Sequence, residues 1–87
     1  IKFSVSQNYP NPFNSTTTIT FTLPKKSLVT ITVFDSLGRE IAKLVSEELV
    51  PGTYTRQWNP GNLSSGTYFV RLEAGSYVET KKLVLLK

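Results

Sequence analysis

The chain has 87 residues, 39% hydrophobic and 18% charged, with a net charge of +4 from 10 basic and 6 acidic side chains. That is one domain with apolar material for one core and too much of it for a disordered tail; at this length about 60–65% of the unfolded surface is buried on folding. Cysteine and histidine are both absent, which excludes disulfides, thiolate metal sites, the commonest general base and the usual pH switch.

Val, Ile, Leu, Phe, Tyr and Thr dominate, a strand-forming composition. The chain begins at Ile1 and contains no Met, so the expectation is a fragment or processed piece of a larger protein. No run of about 18 apolar residues is present to span a membrane, and the chain itself holds no signal peptide. An export signal, if the parent has one, is expected outside this chain.

Residues 1–7 read as a linker or first short strand. In Asn8-Tyr9-Pro10-Asn11-Pro12-Phe13-Asn14 two prolines stand two residues apart, which bars a central strand and favours an extended, polyproline-like path. An edge segment anchored by Tyr9 and Phe13 is expected, with Asn11 and Asn14 bonding neighbouring backbone.

From Thr17 to Leu23, Ile19, Phe21 and Leu23 share one face and Thr18, Thr20 and Thr22 the other. Pro24 closes this strand and Lys25–Lys26–Ser27 turn the chain. Leu28 to Phe34 repeats the pattern, with Val29, Ile31 and Val33 opposite Thr30 and Thr32; one side of such a sheet is wet.

Asp35-Ser36-Leu37-Gly38 reads as a hairpin turn in which Gly38 takes a positive φ. Glu40 to Val45 returns as an edge strand guarded by Lys43, with Ile41 and Val45 on its face and Ala42 and Leu44 on the other. Pro51-Gly52 is expected as a type II turn before a strand from Thr53 to Trp58.

A loop over Asn59–Gly66 holds Leu63 as a plug. Thr67 to Ala74 points Tyr68, Val70 and Leu72 inward and Phe69, Arg71 and Glu73 outward. Gly75-Ser76 forms a tight hairpin, and Tyr77 to Leu86 closes the fold. About seven strands joined mostly by hairpins predict an all-β, immunoglobulin-like sandwich of antiparallel strands in two sheets, with residues 8–87 forming it as one domain.

Catalysis is hard to build from these residues. Hydroxyls lack a histidine to activate them, and Asp35, Glu40, Glu47, Glu48, Glu73 and Glu79 are dispersed among turns and exposed positions. There is no phosphate loop or dinucleotide fingerprint. No cofactor is expected, and no metal. The basic residues are scattered apart from Lys81, Lys82 and Lys87, so a solvated face is favoured over nucleic-acid binding. Sugar binding is the stronger alternative: Trp58 could be a platform but reads better as core, while Phe34 and Phe69 fall on polar faces and suit exposed contacts.

Taken in order, the Asn8–Asn14 segment, Thr17-Thr18-Ile19-Thr20-Phe21, Leu23-Pro24 and Val33-Phe34-Asp35-Ser36-Leu37-Gly38-Arg39-Glu40 resemble the type A C-terminal sorting domains of the type IX secretion system. Gly52-Thr53-Tyr54, Leu63-Ser64-Ser65-Gly66-Thr67-Tyr68-Phe69-Val70-Arg71-Leu72 and Lys81-Lys82-Leu83-Val84-Leu85-Leu86-Lys87 continue the likeness, from about Ser6 to Lys87. Pro10, Asn11, Pro12, Phe13, Gly38, Gly66 and Tyr68 carry it most clearly; Ser15 stands where the family usually has another proline. A related immunoglobulin-like module of flagellar hook-capping proteins opens similarly.

The resemblance implies a seven-stranded sandwich and a non-catalytic role at the end of a secreted cargo of Bacteroidota-like bacteria, the cargo domain lying N-terminal in the same chain. It further implies recognition in the periplasm, passage across the outer membrane by the type IX translocon, and removal by a sortase-like peptidase, with the cargo attached to surface lipopolysaccharide or released. The accessory sugar-binding or spacer module and the hook-cap module are the alternatives. On the residues alone, a basic closing strand with a free carboxylate suits reading as an added strand or as a terminal carboxylate. Lys81, Lys82, Leu83, Leu85 and Lys87 are the expected recognition residues, with Val84 and Leu86 packing into the core. The tail alone is not expected to be the whole signal.

Overall fold

The computed structural model describes residues 2–87. Seven strands follow in chain order: β1 (Ser4–Val5), β2 (Thr17–Leu23), β3 (Ser27–Asp35), β4 (Glu40–Leu49), β5 (Gly52–Trp58), β6 (Gly66–Ala74) and β7 (Tyr77–Leu85). They pair antiparallel in two sheets, β1-β2-β5 and β4-β3-β6-β7. The all-β sandwich expected from the alternation is what forms.

The alternating residues of β2, β3 and β6 supply the core. Ile19, Phe21 and Leu23 face Val29, Ile31 and Val33 of the opposite sheet, with Val70 and Leu72 beside the latter, all essentially without solvent contact. Each such side chain contributes about 1.5–3 kcal/mol through burial. Trp58 closes one end, its ring 6.0 Å from Tyr68 edge-on and 5.9 Å from Phe13. Tyr68 donates its hydroxyl to Ser64 O at 2.6 Å and so holds the β5–β6 loop. Leu63 of that loop packs partly buried against the core, as a plug should.

Three details depart from the sequence reading. The β1–β2, β3–β4 and β6–β7 connections join paired neighbours, whereas β2–β3, β4–β5 and β5–β6 cross between sheets. The Pro51-Gly52 bend is one such crossing, and Gly52 has φ +154°, outside the type II value near +80°. In β4 the pairing register slips twice, leaving Ile41 and Leu44 as extra residues opposite β3. These bulges cancel the simple alternation: Val45 and Ala42 lie opposite inward-facing Ile31 and Val33, while Lys43 lies opposite Thr32. Lys43 and the bulges together guard this outer strand from foreign pairing.

The β3–β4 turn is closed by one carboxylate. Asp35 accepts from the backbone of Leu37 and Arg39 at 2.9 Å each and from Arg39 Nε at 2.7 Å, while Gly38 takes φ +85°. Those donors, Arg39 N foremost, hold the Asp35 carboxyl below its ordinary range.

The two outer faces differ chemically. On the three-stranded sheet, Thr18, Thr20 and Thr22 lie beside Gln57, Thr55 and Thr53, a row of uncharged side chains. On the four-stranded sheet the outward positions include Lys43, Arg71, Glu73 and Lys82.

Candidate recognition surface

The double-proline segment, read from sequence as an anchored edge segment, and the basic tail, expected to be the recognised part, lie against each other. After β1 the chain runs along β2, with Ser6 N donating to Thr20 O at 2.8 Å and Tyr9 and Thr18 exchanging backbone bonds of 3.0 and 2.9 Å. It then leaves the three-stranded sheet and bends over Pro10–Pro12, with cis peptide bonds at Tyr9–Pro10 and Asn11–Pro12. Beyond the bend it reaches the outer edge of β7. Phe13 pairs there in parallel with Leu85: Phe13 N donates to Val84 O at 3.0 Å and Leu86 N to Phe13 O at 2.8 Å. The Asn8–Asn14 strap thus joins one sheet edge to the other.

Side chains hold the strap in place. Asn8 is buried, donating to Pro10 O at 3.1 Å and to Thr17 Oγ1 at 2.9 Å, and Thr17 Oγ1 itself donates to Pro10 O at 2.8 Å. Burying that amide is tolerable because these bonds satisfy it. Asn11 Oδ1 accepts from Val84 N at 3.0 Å, a contact across the fold where a local turn bond was expected. Gln7 Nε2 donates to Lys82 O at 2.7 Å. Phe13 is the apolar anchor at 2% exposure, but Tyr9 is 80% exposed, so the second anchor is Asn8.

The tail's faces are exchanged relative to the sequence reading. Leu83 and Leu85 are fully buried, whereas Val84 is half-buried and Leu86 is 55% exposed. Register gives the reason: Leu83 lies opposite Tyr68, an inward residue of β6, so odd positions near this end face the core. Leu83 and Leu85 therefore cannot meet a partner while the domain is folded. Lys82 and Lys87 are exposed; Lys81 is half-buried and paired with Glu79 at 3.2 Å. Lys87 N donates to Ser65 Oγ at 2.7 Å and Lys87 Nζ donates to Gly61 O, tying the end to the β5–β6 loop.

The expectation of an added strand meets an obstacle here. The outward backbone groups Lys82 O, Val84 N, Val84 O and Leu86 N are already bonded by Gln7, Asn11 and Phe13. A partner reading this end therefore meets side chains. Those available line an open groove of about 470 Å³ formed by Pro10, Pro12, Phe13, Asn14, Leu86 and Lys87. Gly38 and Gly66 lie outside it, serving the β3–β4 turn and the start of β6. Tyr68 serves the core.

At the other end of β7 the Phe3 and Tyr77 rings stack at 5.2 Å, and Tyr77 donates its hydroxyl to Glu79. Burial, then the Glu79 carboxylate, pushes the Tyr77 phenol up to about 12 from an ordinary 10.0. A raised folded-state value means the native state holds this proton more tightly than the unfolded chain. Its contribution to stability is complete below pH 10 and lost as pH climbs from there through about 12. A Tyr77→Phe variant should lose less stability over that window than the parent, read by urea unfolding at stepped pH; equal losses would refute the assignment.

Residues 7–86 match the family model described as "Secretion system C-terminal sorting domain". No curated protein matches the chain.

Proposed function

Because the chain belongs to the secretion system C-terminal sorting domains, non-catalytic signals for type IX secretion whose cargo reaches the cell surface or the extracellular space, we propose that its address is the composite surface where strap and tail meet. The observation that carries this is the pairing of Asn11 and Phe13 with Val84–Leu86. It makes the double-proline motif and the basic tail one patch, presented only by a folded domain. The receptor is the outer-membrane type IX translocon, met from the periplasm, and the contacts are the side chains of Tyr9, Pro12, Lys82, Leu86 and Lys87. In this reading Leu83 and Leu85 act indirectly, by fixing the strand that carries the outward residues. The cargo precedes the domain in the same chain, and a sortase-like peptidase separates the two after passage.

A cargo fusion carrying Lys82→Glu and Leu86→Ser tests it. Both positions are exposed, so the variant should melt within a few degrees of the parent. Delivery to the cell surface should fall about tenfold or more, the usual cost of losing central contacts of an interface. Unchanged delivery by a folded variant would sink the proposal.

A further inference from the structure

Arg71, on the outer face of the four-stranded sheet, has donors that the fold does not use. Its guanidinium lies over the Phe34 ring at 4.6 Å from the centroid. The Glu73 carboxylate stands 3.6 Å from Nε, an ion-pair distance too long for a hydrogen bond. Among the described residues Nε is buried with no hydrogen-bond partner. With Nε buried and the side chain as a whole 41% exposed, a guanidinium seated over a ring presents its outer amino groups to an oxyanion.

The register builds a groove around it. Thr80 lies opposite Arg71, Phe69 opposite both Phe34 and Lys82. Together with Asp35, Ser36 and Gly38, the residues Phe34, Phe69, Arg71 and Thr80 line an open groove of about 280 Å³. Asp35 is neutralised by Arg39 at 2.7 Å, and Lys82 has no ion-pair partner among the described residues; Arg71, Lys82 and Lys43 opposite Thr32 against Glu73 and Glu40 opposite Phe34 leave this face cationic. The ligand that fits carries a negative oxygen group beside a flat apolar surface.

We propose that this groove binds an acidic saccharide, its carboxylate on the Arg71 fork near Lys82 and the C–H face of its ring on Phe69. Charge complementarity selects the anion, and the position in the sheet selects the sugar. β3 and β6 are inner strands whose backbone groups are spent on neighbours on both sides, so an extended peptide would gain no main-chain bonds here. A saccharide brings its own hydroxyls to Thr80 and Ser36. The linings of this groove and of the strap groove share no residue; Lys82, at the rim here, is the one side chain also assigned to the sorting surface, and the saccharide site does not depend on that reading.

Amide NMR titration of the chain with trigalacturonate tests it. Saturable shifts should centre on Phe69, Arg71 and Thr80 and weaken with added salt. Arg71→Gln should weaken binding about tenfold, as expected for losing hydrogen bonds to a charged group, and Phe69→Ala, judged folded by its own spectrum, should weaken it as well. Absence of saturation, equal binding of neutral maltotriose, or shifts confined to Lys25 and Lys26 would overturn the proposal. Equal or tighter binding of a triglutamate peptide at these residues would overturn it too, reassigning the groove to a protein partner.

Discussion

A chain truncated after Thr80 is expected to lose its cooperative fold, not merely its address. The truncation removes Leu83 and Leu85, both fully buried. Shortening a single core leucine to alanine costs about 2–5 kcal/mol, and a small domain has only about 5–15 kcal/mol in total. It also strips the partners from Phe13 N, Phe13 O and Asn11 Oδ1. Urea unfolding should show no native baseline, and amide NMR should show collapsed dispersion. A truncated chain with a parent-like unfolding midpoint would contradict the packing described here. Lost delivery after such a deletion therefore does not separate a missing address from a missing fold. The comparison that does is Leu83→Ala against Lys82→Glu: the first should act through stability, the second without changing it.

Phe13→Ala is the second large effect. The ring is 2% exposed and 5.9 Å from Trp58, so its removal should cost about 3–5 kcal/mol, against about 1–1.5 kcal/mol for Phe13→Leu. Trp58 is the only tryptophan, and its fluorescence can follow the unfolding. Because Phe13 also positions the strap on β7, the Leu86 amide should exchange with solvent earlier than the Ile31 and Leu72 amides in this variant. Uniform acceleration at all three would mean that the strap and the core open as one unit. A loss under 1 kcal/mol would mean that the strap is not anchored by this ring.

Much of this was readable without coordinates because the physics is local. In β2 every apolar residue is preceded by threonine, which fixes both the strand and its buried face; β3 and β6 are nearly as clear. The tail was not readable in the same way. Leu83-Val84-Leu85-Leu86 is an unbroken apolar run, so alternation assigns no parity, and only pairing with β6 places Leu83 and Leu85 inside. The bulges at Ile41 and Leu44 carry no glycine or proline to announce them. The sequence points to Tyr9 as anchor and not to Asn8, because burying a polar amide is costly unless partners such as Thr17 and Pro10 O satisfy it. The strap's bond to β7 spans 73 residues, and no local pattern encodes such a contact. The family motif marked both ends of that contact without indicating that they touch.

That same contact sets the order in which the domain can come into being. A strap near the beginning is closed by the strand at the other end, and pairing between distant segments is slow because the intervening chain must first be drawn together. A ribosome delivering this sequence releases β1 through β6 before the residues that seal Phe13 and fill the Leu83 and Leu85 positions. During that interval the nascent domain holds apolar strands without a finished core, a state prone to aggregation and suited to capture by chaperones. If the address is the composite surface proposed above, it becomes legible only once β7 has been synthesised, and a chain stalled or cut before that point carries no readable destination.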